Sequence, residues 1–119
     1  MPVTKTDLTF QASATNTAGS TATGTGIDLS AGYGASINVR ITNGGTGPTV
    51  ACRCDIEVSN DNTDYYLYRT IYGSTANSAV VEQGVDIPMA HQFARTVFTG
   101  NTAQSVTVEA DGSHVTAVA

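Results

Sequence analysis

The sequence predicts an all-β fold, a two-sheet antiparallel sandwich of about eight strands, on three observations. Charged residues make up 13% of the 119-residue chain, about half the share of an average soluble domain. Thr, Ser, Ala, Asn and Gly take their place, β-branched residues are abundant, and the straight-chain residues that favour helix are scarce. Finally, apolar residues recur at every second position in several short runs, with turn-forming clusters between them at roughly 8–12-residue intervals. A chain of this length reads as one domain with room for a modest core.

The first element is the least defined. From Phe10 to Gly26 the chain is a low-complexity run of Ala, Thr, Ser, Asn and Gly, with few large side chains to offset the entropy of ordering it. Residues 1–26 therefore read either as an edge strand with a long loop or as an arm that orders only against a neighbouring subunit. The arm reading predicts that deleting residues 1–26 leaves the fold of the domain, residues 27–119, intact.

Later elements are sharper. Ile37, Val39 and Ile41 alternate with Asn38, Arg40 and Thr42, a half-buried strand by its period of two. The run Asn43-Gly44-Gly45-Thr46-Gly47-Pro48 turns the chain. Val50, Cys52, Cys54, Ile56 and Val58 then share one face of a long strand, ended by Asn60-Asp61-Asn62-Thr63-Asp64. In the next strand, Tyr65 to Tyr72, strict alternation places Tyr66, Tyr68 and Tyr72 on one side and Leu67 and Ile71 on the other. Ala79–Glu82 and Val85–Ile87 make one or two short strands that Pro88 ends, having no N–H for a ladder. Phe93–Thr99 alternates again and turns at Gly100-Asn101-Thr102; Ser105–Ala110 follows. Asp111-Gly112 reads as a tight hairpin before a closing strand, His114–Val118.

A formal net charge of -5 and a pI near 4.6 repel phosphate backbones and anionic lipid, and Lys5, Arg40, Arg53, Arg69 and Arg95 form no basic stripe. Nucleic acid and membrane are therefore not expected partners. The N-terminal residues lack the apolar stretch of a secretion signal, so synthesis in a cytoplasm is the expectation.

A search for catalytic chemistry finds no nucleophile–base–orienter set, and no enzyme activity or cofactor is expected. His91 and His114 read as exposed loop or strand-end residues. Cys52 and Cys54, two apart on one face, read as small core hydrophobes. Asp61 and Asp64 are the one weak calcium candidate; the glycine and bidentate glutamate of a calcium loop are missing, and a plain Asx turn favours the same composition. Tyr66, Tyr68 and Tyr72, with Thr15, Thr17, Thr21 and Thr23 of the first segment, are the interface candidates. Tyrosine supplies contact area at low rotamer cost.

The stretch from Cys54 to Tyr66, with Ser59, Asp61 and the aromatic pair Tyr65-Tyr66, is followed by Ile87-Pro88 and then by Arg95-Thr96-Val97-Phe98-Thr99-Gly100-Asn101-Thr102 and Ser105–Ala110. Together these resemble the small β-sandwich decoration, or cement, proteins of tailed-bacteriophage particles, over roughly the last two-thirds of the chain. The resemblance implies a jelly-roll-like sandwich that binds the outside of a capsid as a trimer, with the major capsid protein as partner and the virion exterior as final location. The same skeleton also resembles discoidin-like carbohydrate-binding modules. That makes host-surface polysaccharide, or a place in the tail or neck, the alternative, although the chain has no Trp and carries Tyr where Trp is usual.

Overall fold

A computed structural model describes residues 3–118. These residues hold nine strands: β1 (Val3–Asn16), β2 (Ala22–Thr23), β3 (Ile27–Asp28), β4 (Ala35–Asn43), β5 (Arg53–Ser59), β6 (Tyr66–Tyr72), β7 (Val80–Ile87), β8 (Phe93–Thr99) and β9 (Val106–Val118). Among the described residues there is no helix. One sheet has the order β1-β9-β4-β7; the other has β2-β8-β5-β6, with β3 also on β8, and every pairing is antiparallel. β2 and β3 run along the same side of β8, against Phe98–Val97 and Ala94–Phe93. Counted as one interrupted strand, they leave two four-stranded sheets whose first and last strands are neighbours, which is the double Greek key of a jelly roll.

Alternation builds the core. Ile37, Val39 and Ile41 from β4 and Val106, Val108 and Ala110 from β9 point inward from one sheet. Cys54, Ile56 and Val58 from β5 and Ala94 and Phe98 from β8 meet them from the other. Phe10, Leu29, Ile71 and Ile87 close the margins. The facing positions hold slim side chains, so the two sheets approach without tryptophan.

Several sequence expectations need correction. The segment expected as one or two strands is a single strand, β7, of eight residues. β5 begins at Arg53, and Val50, expected on its buried face, is 54% exposed in the connection before it. There Val50 N–H donates to Thr102 Oγ1, and its carbonyl accepts from Thr102 N–H. These bonds divert the backbone from the β5 ladder.

Asp111-Gly112 makes no hairpin. β9 runs straight through it for 13 residues, with Gly112 opposite Leu8 on one side and Ile37 on the other. A Cβ at Gly112 would lie 2.0 Å from the Ser36 carbonyl oxygen and 3.1 Å from the Phe10 ring. The glycine is there for close approach, not for a turn.

Of segment 1–26, residues Val3–Asn16 are an edge strand. β1 pairs with β9 from Val3–Val118 to Asn16–Val106, through three register shifts, and Phe10 is 4% exposed within the core. Its polar side chains cost little because most of them point to solvent. Deleting residues 1–26 is accordingly expected to unfold the protein, contrary to the arm reading. Gly112→Val, forcing a side chain into a filled space, should lose about 1–3 kcal/mol or more of stability. Urea titration followed by circular dichroism checks both; a stable, cooperative deletion variant would reject the role given to β1.

Candidate functional site

The tyrosines do not share a face. β6 pairs with β5 in register from Tyr72–Arg53 to Arg69–Ile56, and after a shift continues as Leu67–Glu57 and Tyr66–Val58. Directly paired residues share a face, so this bulge at Tyr68 inverts the alternation for the rest of the strand. Tyr72 therefore stands on the outer face beside Arg53, 68% exposed, and Leu67 joins it there at 59%. Tyr66 lies on the side of buried Val58, at the rim.

Tyr68, the extra residue, packs against the core, and its hydroxyl donates to the Asp86 carbonyl across the flank of the sandwich (3.2 Å). His91, half-buried in the β7–β8 loop, meets both rings edge-on, at 5.3 Å from Tyr68 and 6.2 Å from Tyr66. Its Nδ1 lies 3.3 Å from the Tyr66 hydroxyl. Tyr66, Tyr68 and His91 thus form an aromatic corner, with the Arg69 guanidinium stacked 4.5 Å from the Tyr68 ring.

The two outer faces differ in charge. On the β1-β9-β4-β7 sheet the register brings out Asp7, Glu109, Asp111, Glu82 and Asp86 against Lys5 and Arg40. On the other sheet β8 and β5 match their charges within the face: Arg95 Nε is 2.7 Å from Glu57, and Arg53 Nε is 3.4 Å from Asp55, while Asp28 of β3, opposite Phe93, accepts from Ser30 at the margin. Arg95 also caps the Tyr65 ring at 4.0 Å. Two rows of side chains cross this face, each spanning roughly 15 Å at ordinary strand spacing. One is Thr21, Thr99, Arg53 and Tyr72, with Thr21 and Thr99 joined through their hydroxyls at 2.8 Å; the other is Thr23, Val97, Asp55 and Thr70.

Among the sequence candidates, this face collects Tyr72, Thr21 and Thr23. Thr15 lies opposite Thr107 on the other sheet, and Thr17 sits in the following turn, its hydroxyl 2.7 Å from that of Ser20.

Asp61 and Asp64 lie in the exposed β5–β6 turn. Asp61 Oδ1 accepts from the N–H groups of Thr63 and Asp64 and from the Ser59 hydroxyl, all at 2.9 Å. These donors hold the Asp61 carboxyl below the ordinary aspartate range. They engage the oxygen a cation would need, and among the described residues no three His, Cys, Asp or Glu gather as a metal site.

His114, expected at an exposed strand end, is instead 6% exposed in the middle of β9, beneath Gly32, where a Cβ would lie 2.0 Å from its Nε2. The continuous β9 is the reason, because it carries position 114 inward. Cys52 and Cys54 are fully buried, and burial pushes the Cys52 thiol up to about 11 and that of Cys54 higher still.

Sequence reasoning missed the buried amide clamp. Asn16 Nδ2 donates to Asn101 Oδ1 at 2.7 Å, and Asn101 Nδ2 donates to the carbonyls of Asn16 and Gln104. Asn101 is fully buried and Asn16 is 3% exposed. Here the Gly100-Asn101-Thr102 motif closes the end of β1 onto the β8–β9 turn. Gly100 has φ +97°, the left-handed backbone this turn requires.

No family model matches the sequence, and no curated protein matches it. Solved structures do match in fold. A chain of the infectious bursal disease virus VP2 subviral particle superposes with TM-score 0.56 at 13% identity, over 93% of this chain and 31% of that one. The SPBc2 prophage-derived protein YomS superposes with TM-score 0.52 at 16% identity, over 95% of this chain and 96% of that one. A chain from the infectious bursal disease virus Gx strain gives TM-score 0.51 at 15% identity, over 94% and 31%. The chain thus spans about a third of the length of the viral chains and nearly all of YomS. At these identities the likeness is one of fold: the sandwich is shared with structures from a viral particle and a prophage.

Asn101→Ala should cost about 1–3 kcal/mol, since it removes three hydrogen bonds at a buried site and leaves the Asn16 amide only its bond to the Ser20 carbonyl. Native protein should leave a thiol reagent such as Ellman's unreacted over minutes, with both cysteines reacting in denaturant. Fast labelling under native conditions would contradict the burial described here.

Proposed function

We propose that the chain is a structural protein of a tailed-phage particle. In this reading it is made in the host cytoplasm and docks on the outside of the capsid as a decoration protein, with the major capsid protein as its partner. It binds and does not catalyse. The observation that carries the reading is end-to-end coverage. The described residues form one jelly roll, similar in fold over 95% of the chain to a prophage-derived protein and over 93% to a part of a viral particle's chain. Fold alone does not imply function; the surface supplies the second support.

The docking face is the outer side of the β2-β8-β5-β6 sheet. Across β8, β5 and β6 its charges are already paired within the face, so covering that part strands no ion, whereas covering the acidic face of the other sheet would; Asp28, on β3, lies at the margin. Tyr72 and Leu67 project from it as large apolar anchors, and the Thr21 and Thr23 hydroxyls pair with a polar lattice at low desolvation cost. Three copies on a symmetric capsid site would turn weak single contacts into strong avidity.

Co-sedimentation with undecorated heads tests this. Saturable binding is expected, and Leu67→Glu with Tyr72→Glu should weaken it by about tenfold or more while leaving the melting temperature within a few degrees. Binding that survives the double substitution would remove this face; no binding by the native protein to heads would remove the role.

The aromatic corner of Tyr66, Tyr68 and His91 favours one competing reading, a module for host-surface polysaccharide, because paired aromatic rings beside Arg69 suit a stacked sugar. A glycan array separates the two. Dose-dependent signal lost in Tyr66→Ala would favour the sugar reading, and a blank array the decoration reading.

A further inference from the structure

The sandwich has four exposed sheet edges, and three are defended. β1 is broken by three register shifts, β2 and β3 form an interrupted edge of two short strands, and β6 carries the Tyr68 bulge with Arg69 beside it. These are ordinary devices against edge-to-edge pairing. β7 has none. Its eight residues pair with β4 in unbroken register from Val80–Thr42 to Ile87–Ala35, without bulge, lysine or proline.

The direction of its free backbone groups follows from the ladder. Asn43 N–H donates to the Ala79 carbonyl, so by antiparallel alternation the N–H and C=O groups of residues 81, 83, 85 and 87 point to β4. Those of Val80, Glu82, Gly84 and Asp86 point off the sheet. The Tyr68 hydroxyl on the Asp86 carbonyl agrees with this, and it leaves that oxygen a second lone pair.

On the opposite edge, Val115 N–H donates to the Gly34 carbonyl. The same alternation then turns Thr6 and Leu8 toward β9 and Lys5, Asp7 and Thr9 outward. Residues 5–9 form the one window of β1 that holds five consecutive residues in register between shifts.

We propose that β7 of one copy pairs with residues 5–9 of β1 of a second copy, extending the β1-β9-β4-β7 sheet from molecule to molecule. β1 and β7 run in opposite directions within the sheet, so a neighbour presented in the same orientation offers an antiparallel partner. The register that joins outward groups pairs Lys5 with Asp86, Asp7 with Gly84 and Thr9 with Glu82. It sets the chain's only lysine opposite an aspartate and places no like charges directly opposite one another. Gly84 adds room, since a Cβ there would meet nothing closer than 3.8 Å. The contact is head-to-tail, so it closes as a ring or grows as a chain according to the rotation per step. It stands apart from the capsid-binding reading, which uses the other sheet.

The test is sedimentation velocity over a range of protein concentrations. Native protein should self-associate. Gly84→Pro removes an outward N–H without touching the β4 ladder, and Asp86→Lys sets lysine against Lys5. Each should raise the dissociation constant by about tenfold, with melting temperature as the control for folding. Lys5→Asp combined with Asp86→Lys should restore association. In an otherwise native background, Thr6→Cys with Val85→Cys should give a disulfide between copies on oxidation, because that pair is directly opposed in the proposed register. A native protein that stays monomeric, or association that neither substitution weakens, would overturn the pairing. Binding of heads by a monomeric Gly84→Pro variant would keep the proposed function while separating it from this contact.

Discussion

The strand β9 is the constraint on which the rest of the structure depends. It is hydrogen-bonded along both sides, by β1 and by β4, and its inward residues face the core from Val106 to His114. A strand so enclosed has little freedom at its inward positions. Position 112 must be glycine because the Ser36 carbonyl and the Phe10 ring fill the place of a side chain. Position 114 must be covered, and the loop at Gly32 does so. The order of the four-stranded sheet, and hence the closure of the jelly roll, follows from β9 having one partner from the start of the chain and one from its middle.

How much of this was legible in the sequence depended on whether the cause was local. Ile37–Ile41, Cys54–Val58, Phe93–Thr99 and Val106–Ala110 announce their faces by alternation, because solvent lies on one side and a core on the other. Asp111-Gly112 misleads because its glycine answers to neighbours nearly eighty and one hundred residues away, while the dipeptide alone is a good turn. The strand β1 is silent for a related reason. An edge strand held by a ladder and by one core residue, Phe10, needs no apolar period, so threonine-rich sequence hides it.

The candidate site was less readable still. A single extra residue at Tyr68 changes which tyrosines share a face, and no composition signal marks a bulge. The charge matching on the outer face depends on cross-strand pairs such as Arg95–Glu57, 38 residues apart in the chain. The Asn16–Asn101 clamp joins residues 85 apart; Asn101 was visible as part of a motif, but its amide chemistry belongs to the folded state.

The seam between β1 and β9 also has a mechanical meaning. Val3 lies opposite Val118, so the start of β1 and the end of β9 lie side by side. Tension applied to the two ends pulls the seam open like a zipper, one rung at a time, instead of shearing all its rungs together. The far end of that zipper is the Asn16–Asn101 pair, buried and held by several hydrogen bonds. A tether at either end can thus peel the outer rungs, while the lock beyond them keeps the last turn of β1, and the β8–β9 corner it grips, in place.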